Sequence, residues 1–257
     1  MKIATDVYGY RTAIANIAFI SGLGKNKDEW VLVDAGVPYS AKFILKYAST
    51  LFGSKKPKAI VLTHGHFDHI GALPVLLKEW DVPIYAHHEE MPYLTGEKEY
   101  PRPTPFIVKG LMSFLSPFYP RDGIGLHSNL REIETGTELE LMQGWEGIHT
   151  PGHTKGHISL YRKEDGLMLA GDAFVTVKQE SLLAVLTQKE EIHGPPAYFT
   201  PNRAESRESI IKLAKLEPST IYTGHGKPLY GKEQIAKGLY QLIRHYDVGF
   251  AESPTVV

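Results

Sequence analysis

A dense group of metal-ligand side chains lies in residues 63–71, THGHFDHIG. An apolar stretch precedes it and a helix-forming stretch follows it, which predicts a strand-to-helix loop. Because side chains two residues apart in extended backbone face the same way, His64 and His66 can point at one ion. Asp68 and His69 follow where the chain turns into the helix, which can direct them toward a second ion. Imidazoles suit zinc and similar ions, and carboxylates suit harder ones, so the pattern indicates a metal site.

A second histidine-rich stretch, HTPGHTKGH, covers residues 149–157. The Pro-Gly turn before His153 can project its ring from the end of a strand, and we expect this ring to be the third imidazole of the first ion. His149 and His157 flank it. We expect these two to hydrogen-bond to the ligands or to the surrounding structure and not to bind metal.

Two further candidate ligands each follow a short apolar strand. Asp172 ends LMLAGD, and a carboxylate at the end of a buried strand is costly without a positive partner. Its two oxygens can bridge two cations, with a helix-capping role as the alternative. His225 lies between two glycines in TGHG. The predicted metal ligands are therefore His64, His66, Asp68, His69, His153, Asp172 and His225.

Short apolar runs and amphipathic stretches alternate along both halves of the chain. The apolar runs predict strands at 14–20, 30–36, 59–63, 82–86, 147–150, 158–162, 167–172 and 220–224. Helical spacing predicts helices at 40–50, 72–80, 205–216 and 231–246. This pattern predicts an α/β fold in which two stacked sheets are flanked by helices. We find no linker, so we expect a single domain over residues 1–257.

Composition narrows the classes of partner. Lysine plus arginine number 28 against 29 aspartate plus glutamate, a net charge of -1 without a dense basic run, which argues against nucleic acid. The lack of cysteine excludes disulfides, thiolate ligands and cysteine nucleophiles. No apolar run approaches the roughly 18 residues of a membrane helix, and no signal-like block is present. We therefore expect a cytoplasmic protein, without membrane contact, that acts on a small-molecule substrate.

Residues 91–130 do not show the alternation of predicted strands and helices. They are rich in proline and aromatic residues and lack the two-residue period of a strand. Such a stretch inside a compact domain favours a functional cover, with an insertion packed on its own small core as the alternative. As a cover, its rings Phe106, Phe114 and Phe118 are expected to bring apolar surface to the substrate.

The motifs resemble those of the metallo-β-lactamase superfamily. The matching stretches occur in the family's order and span nearly the whole chain: VDAG (33–36), THGHFDH (63–69), TPGHTKGH (150–157), GD (171–172) and TGHG (223–226). The resemblance implies a four-layer αβ/βα sandwich of two mixed sheets flanked by helices, with a binuclear site at the edge between the sheets. It implies that one ion is held by His64, His66 and His153, the other by Asp68, His69 and His225, and that Asp172 bridges them. Asp34 in VDAG is expected to support the site.

Differences between branches of the family reduce the range of activities that the resemblance implies. True β-lactamases of the superfamily generally lack the bridging aspartate, and diiron oxygen-reducing relatives carry Glu at the position of His66. The chain is more similar to glyoxalase II-type thioesterases and to lactonases. This implies a metal-dependent hydrolase of thioesters or lactones with two divalent ions, Zn²⁺ being expected and Fe or Mn being alternatives. A phosphodiesterase, a mononuclear iron enzyme that oxidises sulfur compounds and a non-catalytic protein with structural zinc are alternative functions.

The implied mechanism assigns roles to four residues. Two divalent ions lower the pKa of a shared water, which supplies hydroxide to attack a carbonyl carbon. Asp68 and Asp172 are the expected catalytic residues, because Asp172 sets the metal spacing and Asp68 can accept a proton. His193 and Tyr198, around a Gly-Pro-Pro turn, are candidate contacts to the substrate, with a structural loop as the alternative. No sequence feature indicates a particular oligomeric state.

Overall fold

The computed structural model describes residues 1–104, 111–121, 123–178 and 190–251. Its strands are β1 (Val7–Thr12), β2 (Ala15–Leu23), β3 (Glu29–Val33), β4 (Ala59–Val61), β5 (Ile84–Ala86), β6 (Leu130–Glu132), β7 (Trp145–His149), β8 (Ile158–Arg162), β9 (Leu167–Gly171), β10 (Thr220–Thr223) and β11 (Leu229–Tyr230). Its α-helices are α1 (Ala41–Phe52), α2 (Phe67–Ile70), α3 (Leu73–Trp80), α4 (Met91–Leu94), α5 (Leu111–Leu115), α6 (Arg203–Ala214) and α7 (Lys232–Ala251). Short 3-10 turns cover His88–Glu90, Ser116–Phe118 and Ala197–Phe199.

The strands form two mixed sheets, one from each half of the chain. The first sheet has the order β1-β2-β3-β4-β5-β6, antiparallel from β1 to β3 and parallel from β3 to β6. The second has the order β11-β10-β9-β8-β7, in which only β9 and β10 pair in parallel. Parallel neighbours require crossover connections, which α1 and α3 supply in the first sheet and α6 in the second.

Side-chain alternation along the central strands divides the core into layers. In β3, Trp30 and Leu32 belong to the apolar cluster shared with α1 and α3, whereas Val31 and Val33 face the second sheet. In β9, Leu167 and Leu169 meet that same inter-sheet cluster, and Met168 and Ala170 pack with residues of α6 and α7. Both faces of each sheet are therefore covered, and the predicted four-layer αβ/βα sandwich is confirmed.

Strand direction gathers the ends of several strands at one edge of the sandwich. The parallel strands β3 and β4 end together in the first sheet, and β7, β9 and β10 share one direction in the second. The N–H of Ile158 donates to the carbonyl of Thr63 at 2.9 Å, and the N–H of Asn16 donates to the carbonyl of Gly224 at 2.7 Å. These bonds fasten the two sheets together where the candidate ligands begin.

The predicted strands and central helices have counterparts in the structure, but three strands went unpredicted. β1 contains glycine and an exposed arginine, so its side chains do not form a continuous apolar run. β6 and β11 are two or three residues long and lie at sheet edges, where few side chains are buried. No helix within the described ranges combines the length and the apolarity needed to cross a membrane.

Candidate metal centre

The candidate ligands lie directly beyond strand ends at the shared edge. His64 and His66 follow β4, and Asp68 and His69 lie in the short helix α2. The second sheet contributes His153 after β7, Asp172 after β9 and His225 after β10. All seven side chains are buried. The structure therefore brings every predicted ligand to one place.

These seven side chains form three groups of three whose ligand atoms lie within 4.8 Å of one another, and two of these groups have no residue in common. We name them the imidazole trio (His64, His66 and His153) and the mixed trio (Asp68, His69 and His225). His66 Nδ1 lies 3.0 Å from His153 Nε2, close to the roughly 3.3 Å between nitrogen ligands of a tetrahedral zinc ion. Asp172 lies between the trios, since its Oδ2 is 3.5 Å from His153 Nε2 and 3.1 Å from His225 Nε2.

Hydrogen bonds on the far side of two rings orient His64 and His69. The Asp34 carboxylate accepts from His69 Nδ1 at 2.8 Å and from the Thr63 hydroxyl at 2.8 Å. Because the Thr63 hydroxyl gives its proton to Asp34, it accepts from His64 Nδ1 at 3.1 Å. In both rings Nε2 is then the nitrogen that faces the centre, the arrangement expected of supported metal ligands. Asp34 has a φ of 61°, a strained conformation that its hydrogen bonds maintain.

Hydrogen bonds also orient two rings that follow strands of the second sheet, His225 of the mixed trio and His153 of the imidazole trio. His225 Nδ1 donates to the carbonyl of Ile14 at 2.8 Å. The Thr200 hydroxyl donates to the carbonyl of Pro196, so it accepts from His153 Nδ1 at 3.2 Å. Nε2 again faces the centre in both rings.

The other two histidines of the second motif have supporting contacts, as the sequence predicts. His157 Nε2 accepts from the backbone N–H of Asp172 at 2.8 Å, which positions the end of β9. His149 Nε2 donates to the carbonyl of Lys155 at 2.7 Å. His149 also lies near His87 and Glu89, but the two imidazole rings are stacked 4.1 Å apart and nearly parallel. A metal ion lies in the plane of each ring that binds it, so this pair does not converge on one ion.

The two trios differ in protonation. Burial lowers the pKa of His66 to about 3 and lowers the pKa of His153 well below the usual range of histidine. Burial alone would also lower the pKa of His69, but the carboxylates around it, Asp34 first among them, raise it to about 10. At neutral pH the imidazole trio therefore presents free lone pairs, whereas a cation bound to the mixed trio must displace a proton.

A cavity of about 550 Å³ opens beside the imidazole trio. His66 and His153 form part of its wall, and aromatic and proline side chains form much of the rest: Tyr93, Tyr100, Pro101, Pro151, Tyr198, Phe199 and Pro201. A narrower opening over Asp68, Asp172 and His225 is lined by Tyr119, Tyr198 and Phe199. A substrate in the cavity would therefore lie beside the imidazole trio, and the narrow opening gives access to Asp68, Asp172 and His225.

Of the two predicted substrate contacts, the structure places Tyr198 at the site and His193 elsewhere. Tyr198 lines the cavity beside the imidazole trio and the narrow opening. His193 is held by an antiparallel bridge to Val175 and lines a separate cavity with Arg203 and Tyr246. Tyr198 is therefore the better placed of the two residues to contact a substrate in the cavity.

The 91–130 segment contributes to the cavity through rings other than those expected to line it. Phe114 is 56% exposed and Phe118 is 81% exposed, and neither lines the cavity or the narrow opening. Phe106 lies outside the described residues. Tyr119 instead packs against Phe67 and Phe199, at centroid distances of 5.3 and 5.9 Å. Aromatic content alone did not distinguish rings that face the site from rings that face solvent.

Sequence analysis missed Glu90, which is completely buried beside the two histidine motifs. It stands in the run His87–Glu90, and nothing in the sequence distinguishes its environment from that of the neighbouring Glu89, which is only half-buried. The glycines at positions 65 and 156 are a usable signal, because both lie directly against Glu90 or its partner Tyr100. A glycine within each ligand motif indicates that another group approaches the backbone there.

Comparisons with known proteins identify the family to which the chain is similar. Residues 13–225 match the family described as the metallo-beta-lactamase superfamily. The chain is 48% identical over 232 residues to the probable metallo-hydrolase YflN of Bacillus subtilis, covering 90% of this chain and 88% of that protein. It is 30% identical over 223 residues to the probable metallo-hydrolase YybB of the same organism, covering 87% and 86%.

A solved structure supports the fold. The protein TTHA1623, solved in a di-iron-bound form, superposes with a TM-score of 0.60 and 22% identity, covering 90% of this chain and 96% of that one. The family match, the two relatives and this superposition agree with the motifs and with the sandwich. The chain therefore belongs to the metallo-β-lactamase superfamily.

Proposed function

We propose that this protein is a metal-dependent hydrolase with a binuclear centre that cleaves an ester-type bond, either a thioester or a lactone. One ion is held by the imidazole trio and the other by the mixed trio, with Asp172 between them. The observation that supports this most strongly is the convergence of seven buried ligand side chains on one edge of the sandwich. The name of YflN, a probable metallo-hydrolase, agrees with it.

Buried polar atoms without partners provide the test of fit for metal ions. His64 Nε2, His69 Nε2 and Asp172 Oδ1 are buried and have no hydrogen-bond partner among the described residues. Leaving such atoms desolvated is unfavourable, and cations at the centre would satisfy all three. A Cβ on Gly224 would lie 2.1 Å from Asp172 Oδ1, so glycine preserves the space that this carboxylate needs. The residues present therefore fit a pair of divalent ions.

The ligand chemistry favours zinc. Five imidazoles and two carboxylates match the nitrogen and oxygen donors that zinc accepts, and no thiolate is present. Iron and manganese suit the same donors, and TTHA1623 has been solved in a di-iron-bound form. Metal analysis of the purified protein, with anaerobic spectra for iron, separates zinc from iron and from a mononuclear iron centre.

Each part of the site has a role in the proposed hydrolysis. When bound, two divalent ions supply hydroxide at neutral pH and polarise a carbonyl oxygen. Asp68, close to His225 at 3.5 Å, is placed to accept a proton from the nucleophile. Tyr198 is placed to orient the acyl group, because it lines the cavity and the narrow opening.

The cavity wall favours an uncharged acyl group over a polyanion. Arg102 and Lys155 line the cavity, but so do Glu89 and Glu205, so the wall carries no excess positive charge. Phosphodiester substrates such as nucleic acids are bound largely through cationic side chains. The aromatic and proline side chains instead offer apolar surface to an acyl chain or a lactone ring. The described parts of the 91–130 segment supply some of that surface, which supports its proposed role as a cover of a single domain.

Steady-state kinetics on a matched substrate panel test this proposal. Protein of measured metal content is assayed with a thioester, a lactone, bis(p-nitrophenyl)phosphate and a β-lactam. We expect the thioester or the lactone to have the highest kcat/KM, by about a hundredfold or about 2.7 kcal/mol in transition-state binding. A kcat/KM that is highest for the phosphodiester would show that the substrate assignment is wrong.

Replacing Phe199 by alanine tests the apolar wall. Its ring lies 5.2 Å from the ring of His66 and lines the cavity and the narrow opening. We expect KM for a long-chain acyl substrate to rise about tenfold, because the variant loses apolar contact, while KM for an acetyl substrate changes little. Phe118→Ala is the matched control, since that ring is 81% exposed. Equal changes for the long and short substrates would contradict the role of the wall.

A further inference from the structure

We propose that Glu90 is a positioning residue that clamps the two histidine loops at the spacing needed for the imidazole trio to hold its ion. The inference rests on the proposed metal centre and extends it to a residue that is not itself a ligand. Glu90 follows β5 in the short turn His88–Glu90, and its side chain is completely buried between the loops.

Each oxygen of the Glu90 carboxylate holds a different loop. Oε2 accepts from the backbone N–H of Gly65 at 3.0 Å, and Gly65 separates His64 from His66. Oε1 accepts from the Thr154 hydroxyl at 2.6 Å and from the backbone N–H of Gly156 at 2.9 Å. These two residues follow His153. One carboxylate therefore joins the loop after β4, in the first sheet, to the loop after β7, in the second sheet.

Tyr100 completes the arrangement from the 91–130 segment. Its hydroxyl donates to Glu90 Oε2 and accepts from the N–H of Gly65 at 3.0 Å. Its ring packs edge-on against His66, with the centroids 4.6 Å apart. The clamp thus also ties the cavity wall to one ligand of the imidazole trio.

Two glycines make this close approach possible. A Cβ on Gly156 would lie 2.7 Å from the Glu90 backbone nitrogen and 2.8 Å from its Cγ. A Cβ on Gly65 would lie 2.5 Å from the Tyr100 hydroxyl oxygen. Both glycines occur within the ligand motifs, so the clamp accounts for spacer residues that metal coordination alone leaves unexplained.

The number and type of donors indicate that the carboxylate is required. Four donors point at two oxygens, and only an ionised carboxylate accepts on both sides. No lysine or arginine among the described residues forms an ion pair with Glu90, so these hydrogen bonds stabilise the buried charge. An amide in its place would turn an NH₂ group toward a backbone N–H of Gly65 or Gly156. One loop would then have to move, and His66 and His153 would separate.

The test compares metal affinities of the full-length variants Glu90→Gln and Glu90→Asp with wild type. Metal-free protein is titrated with Zn²⁺ against a chelating dye, which resolves two binding steps. His225→Ala identifies the step that belongs to the mixed trio. We expect Glu90→Gln to weaken the imidazole-trio step by about ten- to a hundredfold, the range for residues that orient metal ligands, and to leave the other step unchanged. Glu90→Asp, which keeps both oxygens on a shorter side chain, is expected to fall between Glu90→Gln and wild type.

Two further variants separate positioning from folding. Thr154→Val removes one donor while keeping the side-chain volume, and it should weaken the same step by about two- to tenfold even if Glu90→Gln does not fold. Asp165→Asn removes a carboxylate that pairs with Arg162 away from the centre, and it should change neither step.

The outcomes separate the clamp from the metal centre itself. Wild-type protein that binds fewer than two ions would contradict the proposed binuclear function. Two ions in wild type with unchanged affinities in Glu90→Gln and Thr154→Val would overturn the clamp. Equal weakening of both steps would also overturn it, because it would indicate a general structural role.

Discussion

Replacing Asp172 by alanine is expected to release at least one of the two proposed ions and to lower kcat about a thousandfold. Asp172 Oδ2 lies within 3.5 Å of a nitrogen from each trio, and its Oδ1 is 3.7 Å from His69 Nε2. Removing a carboxylate in this position would leave each proposed ion with fewer ligands and would remove negative charge between the two cations. A thousandfold loss corresponds to about 4 kcal/mol, the scale of transition-state stabilisation attributed to metal ions.

Metal content by mass spectrometry and steady-state kinetics on the same preparation measure this effect. Asp165→Ala is the matched control, since Asp165 is a carboxylate on the turn between β8 and β9 that pairs with Arg162. It should keep two ions and wild-type kcat. One tightly bound ion in wild type, together with an Asp172→Ala variant of normal activity, would show that the binuclear assignment is wrong.

The two ions are expected to depend on pH in different ways. In the metal-free protein, nearby carboxylates raise the pKa of His69 to about 10 against the opposing effect of burial, and the pKa of His225 is also raised despite its burial. An ion entering the mixed trio therefore displaces at least one proton between pH 6.5 and 8.5. Its affinity should rise about tenfold for each pH unit over this range.

The imidazole trio should show no such slope above pH 6.5. Burial lowers the pKa of His66 to about 3 and keeps the pKa of His153 far below its usual value. These rings are already neutral over the whole range, so an ion binds to them without releasing protons. The affinity for the ion in the imidazole trio should therefore not change with pH, while the affinity for the ion in the mixed trio rises with pH.

Dye-competition titrations at several pH values, corrected for the titration of the dye, measure both slopes. His225→Ala should remove the pH-dependent step and leave the flat one. Asp34→Asn should reduce the slope, because His69 loses the carboxylate that accepts from its Nδ1 at 2.8 Å. Equal slopes for both ions would contradict the difference in protonation between the trios.

Local pattern was sufficient to predict the ligand types and the elements that carry them. Apolar runs predict buried strands because a strand covered on both faces needs apolar side chains throughout, as in β8 and β9. These features depend on neighbouring residues in the chain. That these ligands meet at the edge between the two sheets was implied by the resemblance to the superfamily. The resemblance to the superfamily, since confirmed, assigned those ligands to two proposed ions.

The exposure of single side chains was decided by tertiary packing. Tyr198 and His193 are five positions apart, yet they line different cavities because a backbone bridge to Val175 holds one of them. Phe118 and Tyr119 are adjacent, but only Tyr119 lies against the site. The aromatic content of a segment does not tell which of its rings face solvent and which face a cavity.

The sequence by itself therefore determined the class of fold and singled out the candidate metal ligands, each beyond a predicted strand. Only the tertiary structure decided how those residues meet. His66 and His153 are 87 positions apart and come from different sheets, and their nitrogens lie 3.0 Å apart. The contacts of Glu90 with both histidine loops are likewise apparent only in the folded structure. Such contacts depend on the packing of two sheets from different halves of the chain, which no local spacing in the chain specifies.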